Sequence, residues 1–221
     1  MPAVFILSHG VSAKIYNFYV GRWVGFYKFT KFLCNLSQPN KITGARGGGH
    51  RKGGNMKISN NGINMLKRVE GCVKRGNNHI IYDDKTGRSV NTNDPLPIGA
   101  TIGYGHLIKS GEDFRNGITE SVATELLRSD IAVAERAVQD NIKVSLSQNQ
   151  FDALVCLAYN IGTKNFANST VVKYINNPNF HSSKYPDLES AWKAWNRLRG
   201  KISNGLIKRR QYEWGMYSIY F

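Results

Sequence analysis

Glu70-Gly71-Cys72, then Tyr82-Asp83-Asp84-Lys85-Thr86-Gly87, then Thr101-Ile102-Gly103-Tyr104-Gly105-His106: the reading of this stretch decides the fold. Upstream of it, Ile63, Leu66 and Val69 recur at steps of three, behind a Ser59 or Asn60 suited to cap a helix start. Gly71 is a stop signal, so Glu70 falls in the last helical turn. A negative charge there meets the negative end of the helix dipole, which favours the protonated form a general acid needs. The plain alternative is a solvated surface acid beside Lys67 and Arg68.

Downstream, Ile80-Ile81-Tyr82 is a short strand-like run and Asp83 to Gly87 a turn. Ala100 to His106 has strand-forming Thr, Ile and Tyr, with glycines that let another group approach the backbone. A hairpin carrying one carboxylate, set against a helix tip carrying another, makes a cleft. Hydrolases of sugar polymers use two carboxyl groups flanking the scissile bond. Each piece alone is ordinary, since Asp is common in any turn.

Beyond this stretch the chain is helical. Thr119 is the expected N-cap of a helix reaching about Asn141, with Val122, Leu126, Leu127, Ile131, Ala134 and Val138 as its apolar positions. Ser147-Gln148-Asn149-Gln150 has a capping-box pattern, and Phe151 and Leu154 behind it are core. Asn160 at the end of that helix is a possible C-cap. Trp192 and Trp195, three apart, suit core packing better than a sugar platform. Lys208-Arg209-Arg210 lies at or just after the start of a final helix. The loop Arg88 to Ala100, with Pro95 and Pro97, is stiff and either rims the cleft or merely decorates it.

Taken in order, these residues resemble the phage-type lysozymes, glycoside hydrolase family 24. The resemblance rests on Glu70-Gly71, Tyr82-Asp83-Asp84, Gly87 and Thr101-Ile102-Gly103-Tyr104-Gly105-His106. It continues in Gln150-Phe151-Asp152-Ala153-Leu154, Tyr159-Asn160-Ile161-Gly162, Phe166-Ala167-Asn168-Ser169-Thr170 and the run from Gly205 to Glu213, so it covers about residues 56 to 221. It implies an α+β lysozyme-like fold: a small hairpin-containing lobe and a mostly helical lobe, joined by a long helix, with the catalytic cleft between them.

The same resemblance implies hydrolysis of the β-1,4 bond between N-acetylmuramic acid and N-acetylglucosamine in peptidoglycan, with no cofactor and a monomeric chain. Glu70 would be the general acid. Asp84 would activate or position the attacking water, Thr101 would hold that water, and the outcome would be inversion. Asp83 is the rival of Asp84. Asn160 and Ser169 would lie near the sugar groove, and His106 would be structural, bonding across the small lobe. Arg209 or Arg210 would reach Glu70, and a cation there opposes the helix-end effect. Counting does not choose between the two arginines. A lytic transglycosylase is the neighbouring chemistry.

Charge divides the chain in two. Of 221 residues carrying a formal charge of +15, every acidic residue lies at or after Glu70, while residues 1–55 carry eight Lys or Arg. Ile15, Phe18, Tyr19, Trp23, Phe26, Phe29 and Leu33 have helical spacing among basic residues, which suits an anionic membrane or lipopolysaccharide surface. Residues 15–33 acting alone as a cationic membrane-disrupting element are the rival from another class. Gly44 to Asn55 is a flexible linker. The alternative is that translation begins at Met56 and the extension has no evolved role. No recognition motif supports specific nucleic-acid binding. No apolar run spans a bilayer and the opening lacks a basic signal flank, so the chain is expected to be made in the host cytoplasm and to act on the cell wall after release. Cys34, Cys72 and Cys156 form neither a disulfide framework nor a metal spacing. A Cys34–Cys72 bond, silencing the cleft after export, is a speculative exception.

Overall fold

The computed structural model describes residues 56–219. The helix expected at 15–33, the linker expected at 44–55 and Cys34 lie outside the described residues.

Four residues, Met56 to Ser59, nail the chain down before the first helix. Met56 and Ile58 are buried, and the Ile58 N–H donates to Glu135 at 2.8 Å. The Met56 carbonyl accepts from Gln139, and Lys57 ion-pairs with Glu135 at 2.8 Å. Ser59 then caps helix α1 (Asn60–Glu70), accepting from the Asn61 and Gly62 N–H groups, while its hydroxyl and its own N–H donate to Asp152. Gly62 sits where α1 crosses helix α3 (Gln148–Ile161). A Cβ there would lie 2.5 Å from Ile58 and 2.9 Å from the Asp152 carboxyl carbon, so only glycine permits the approach.

The small lobe follows. Strands β1 (Lys74–Arg75) and β2 (Asn78–His79) form one hairpin; β3 (Tyr82–Asp83), β4 (Ala100–Ile102) and β5 (His106–Leu107) form an antiparallel sheet in that order. The strand-like run at 80–82 is thus split: Ile80 and Ile81 bridge the two sheets and only Tyr82 pairs, opposite Thr101. The expected strand through His106 also breaks. Gly103 and Gly105 take positive φ (62° and 95°) and turn the chain into β5. What approaches the Gly103 backbone is Ala123 of the next helix, 3.2 Å from where a Cβ would stand.

That helix, α2 (Glu120–Asn141), is 22 residues long and capped by Thr119. At about 1.5 Å per residue it spans roughly 33 Å. It touches β2 and β5 at one end and α3 and α4 (Thr163–Ala167) at the other, so it joins the two lobes. Its buried face runs through Ala123, Leu127, Ile131, Ala134 and Val138. Val122, expected on that face, is exposed, because the first turn offers Ala123 to the Gly103 turn instead.

The helical lobe is wrapped round α3, which carries the full capping box of Ser147 and Gln150 and buries nine of its residues, Phe151 and Leu154 among them. Helices α5 (Thr170–Asn176), α6 (Leu188–Lys193) and α7 (Asn204–Tyr217) complete it, with a two-residue hairpin β6 (Arg197–Leu198) and β7 (Lys201–Ile202) before α7. Trp192 is fully buried, its ring edge-on to Trp214. The result is an α+β fold of the lysozyme-like kind.

Candidate active site

Glu70 is the last residue of α1, and Gly71 ends the helix at φ 65° with its N–H on the Lys67 carbonyl. Its side chain is not a solvated surface acid: the residue is only 5% exposed. One carboxyl oxygen, Oε1, accepts from Arg209 Nη1 at 3.1 Å. The other, Oε2, is buried without a hydrogen-bond partner among the described residues. A buried carboxyl oxygen left unpaired is costly, and such exceptions mark groups kept for another purpose.

The choice between the two arginines falls to Arg209. Its Nε also donates to Glu213 Oε1 at 3.0 Å, and Nη2 to the Cys156 carbonyl at 3.4 Å. Burial disfavours its charge, but Glu70 and Glu213 outweigh that and hold the guanidinium above its ordinary range. Arg210, about 100° further round the helix, turns instead to α3. Its Nη2 donates to Asn160 Oδ1 at 2.7 Å and to Glu213 Oε1 at 2.8 Å. Burial pulls this second guanidinium down to about 10, and Arg209 adds to the effect while Glu213 opposes it. Asn160 is therefore not a C-cap; Gly162 is, with its N–H on the Ala158 carbonyl.

On the small lobe, Asp83 and Asp84 divide the work. Both Asp83 oxygens are engaged by their own turn, one by the Lys85 N–H and one by the Thr86 hydroxyl, each at 2.9 Å. This local turn bond is the ordinary role of aspartate. Asp84 follows β3, and its N–H donates to the Gly99 carbonyl at 3.5 Å. The Thr101 hydroxyl donates to that same carbonyl at 2.9 Å, so Asp84 and Thr101 are tied at one point. Thr101 is buried in β4, directly opposite Tyr82.

Tyr82 links the halves of the site. Burial raises its phenol well above the ordinary range, and the Asp84 and Glu70 carboxylates push it further, so one ring lies within the field of both acids. Tyr159, on the last turn of α3, feels Glu70 in the same way after burial.

Ser169 caps α5, its oxygen accepting from the Val172 N–H, and is buried. Its bonds tie it to that helix rather than to the Glu70 cluster. His106, the first residue of β5, is buried: Nδ1 lies 3.0 Å from both Asp130 oxygens of α2, and Nε2 lies 3.0 Å from Glu112. The Asp130 bond raises its proton affinity and Glu112 adds to it, although burial opposes both.

Sequence reasoning gave no role to Glu213, yet this fully buried acid receives Arg209, Arg210 and the Trp192 indole N–H. The signal was present in its spacing, three and four residues from the two arginines on one helix. The loop after β3 is tethered by Arg115, whose Nη1 donates to the Thr92 and Asp94 carbonyls. An open concavity of about 390 Å³ between α2 and α4, bordered by Val133, Arg136, Asp140 and Lys164, belongs to neither acid. No group of three or more metal-ligating side chains occurs among the described residues.

A carboxyl buried against an arginine, with one oxygen left without a partner among the described residues, has the chemistry of a general acid. Known proteins resemble the chain over about three quarters of its length. The Phage lysozyme family model matches residues 82–213. The endolysin of Salmonella phage P22 is 35% identical over 165 residues, covering 73% of this chain and 98% of that protein. The endolysin of Bacillus phage B103 is 36% identical over 160 residues, or 72% of this chain, which spans about half (52%) of that relative's length. Among solved structures, an endolysin from Escherichia coli O157:H7 phage FAHEc1 matches with a TM-score of 0.57 and 32% identity, covering 75% of this chain and 95% of that one. The muramidase domain of SpmX from Asticaccaulis excentricus gives 0.57 and 28%, covering 75% and 100%. Matched by that family model over more than half of its length and by a relative 35% identical that it covers almost end to end, the chain belongs to the phage lysozyme family.

Proposed function

We propose that the chain is a peptidoglycan hydrolase of the muramidase type, cleaving the β-1,4 bond between N-acetylmuramic acid and N-acetylglucosamine. The observation that carries this reading is the Glu70 carboxyl: buried, anchored through one oxygen by Arg209, with the other oxygen unpaired. Held on Oε2, a proton is presented to the leaving glycosidic oxygen. Asp84 and Thr101, joined at the Gly99 carbonyl, activate and position a water on the opposite face of the sugar, and direct attack inverts the anomeric centre. Asn160 contacts the glycan from the end of α3, and Ser169 shapes the groove through the α5 turn it caps. His106, with Asp130 and Glu112, keeps β5 on α2. None of these steps calls for a cofactor.

The chain acts as a monomer on the cell wall, made in the host cytoplasm and released to its substrate. Among the described residues no helix is long and apolar enough to cross a membrane. The basic residues 1–55 add attraction to an anionic envelope.

Glu70→Gln tests the reading. It keeps the shape and an acceptor for Arg209 but cannot serve as the acid, so turnover on purified peptidoglycan is expected to fall about a thousandfold while the protein remains folded. Mass spectrometry of wild-type products is expected to show muropeptides with water added. Anhydro sugars would instead identify a transglycosylase, and killing by heat-inactivated protein would point to membrane disruption by residues 15–33.

A further inference from the structure

The second arginine of the cluster is placed at a cost. Arg210 is fully buried, yet its Nε and Nη1 hydrogens meet no acceptor among the described residues. Its one productive nitrogen, Nη2, is shared between Glu213 and Asn160. Glu213 does not need it, since Arg209 Nε and the Trp192 indole already donate to that carboxylate. A buried charge with unmade hydrogen bonds is poor value as a stabiliser, and a well-packed apolar side chain often serves better. What Arg210 alone supplies is a donor to the Asn160 carbonyl oxygen.

That bond fixes the carboxamide. A side-chain amide can face either way unless its network chooses. Arg210 has only donors, so Oδ1 must point inward and the NH2 must point away. Asn160 is half-buried, and its NH2 lies on the side of the carboxamide away from Arg210. The Arg209–Glu213–Arg210 chain connects this amide to the Glu70 carboxyl. At the far end of that chain from the acid, then, stands a fixed group whose outward side donates and cannot accept. A sugar hydroxyl both gives and takes a hydrogen bond; an acetamido carbonyl only takes. The donor-only face matches the carbonyl.

We propose that Arg210 is a positioning residue that locks the Asn160 amide with its NH2 towards the substrate, where it donates to the N-acetyl carbonyl of a glycan sugar. The proposal rests on the muramidase reading above and deepens it: it makes this pair a selector for N-acetylated glycan.

The test uses full-length protein on soluble peptidoglycan strands and on the same strands partly de-N-acetylated. Wild type is expected to prefer the acetylated strands by about tenfold in kcat/KM, a single hydrogen bond's worth of discrimination. Asn160→Asp keeps an acceptor for Arg210 and removes only the outward donor; it is expected to fold as wild type, raise KM about tenfold and lose the preference. Arg210→Met is expected to do the same in the wild-type background and nothing further in an Asn160→Leu background. An equal loss from Arg210→Met in both backgrounds would mean that the arginine acts elsewhere and would overturn the proposal. So would an Asn160→Asp protein with wild-type KM and preference, a result independent of whether Arg210→Met folds. Wild-type protein inert on both substrates would remove the muramidase reading and this one with it.

Discussion

At the scale of single residues the site is a balance of buried charges. Arg209 serves two carboxylates, Glu70 and Glu213, none of the three reaching solvent through its side chain to more than 1%. Removing the cation leaves Glu70 without its ion-pair partner in a medium that solvates charge poorly, and takes one of three donors from Glu213. Arg209→Met is therefore expected to cost about 3–5 kcal/mol in urea unfolding, the range for breaking a buried pair. Arg210→Met is expected to cost clearly less, since Glu213 keeps Arg209 and Trp192. Equal losses would show that the two guanidiniums carry the fold alike. His106 gives a prediction of the opposite pH sense from an acid. Its proton affinity is raised in the folded state by Asp130 and Glu112. Its contribution is complete below about pH 6.5, the unfolded value, and is lost as pH rises through the folded value. The stability gap between wild type and His106→Gln, followed by thermal melts from pH 5.5 to 9, is expected to narrow with rising pH; a constant gap would exclude the imidazolium. Sequence could place Glu70 on its helix tip because caps and stop signals are local. It could not choose between Arg209 and Arg210, because neighbours on a helix differ only by rotation and the choice depends on which face meets α1.

Among the elements, legibility followed length. Helices α1, α2 and α3 were readable through their caps Ser59, Thr119 and Ser147 and their apolar spacing. The paired segments β1 with β2 and β6 with β7 were not, being two residues each, too short for alternation to register. A turn signal was there in the second pair: Arg199 and Gly200 both take positive φ, 50° and 79°, as a tight hairpin demands. The glycines of 103–105 misled because a strand and a turn between strands share their residue types. Gly62 shows how an element's fit is set by an absent side chain. Gly62→Ala is expected to cost about 1–3 kcal/mol by forcing α1 off Ile58 and Asp152. A calorimetric melt checks this, and an unchanged midpoint would mean that the α1–α3 crossing yields easily.

For the molecule as a whole, nearly equal net charge on parts of 55 and 166 residues, +8 and +7, raises the question of where the folding unit starts. The answer lies in Glu135 and Asp152, acids on α2 and α3 that are 4% and 0% exposed. Glu135 is satisfied by the Ile58 N–H and Lys57; Asp152 is satisfied by the Ser59 N–H and hydroxyl together with Gln148. Three residues from outside any helix, Lys57, Ile58 and Ser59, thus supply donors to two buried acids, and Met56 and Ile58 bury their side chains beside them. A chain beginning at Met56 keeps all of this, and its urea midpoint is expected to match that of the full-length protein. A chain beginning at Asn60 keeps Gln148 but loses the donors of Lys57, Ile58 and Ser59 and both apolar side chains, and is expected to lose roughly 4 kcal/mol or more, counting the charged hydrogen bonds at about 1.5–3 kcal/mol each. The same pair of truncations separates fold from charge. Starting at Met56 lowers the formal charge from +15 to +7, so adsorption to anionic vesicles is expected to weaken and to lose much of its salt dependence while the unfolding midpoint holds. If the midpoint falls with the charge, residues 1–55 belong to the folding unit. If adsorption is untouched, the basic surface of the catalytic domain supplies the attraction by itself.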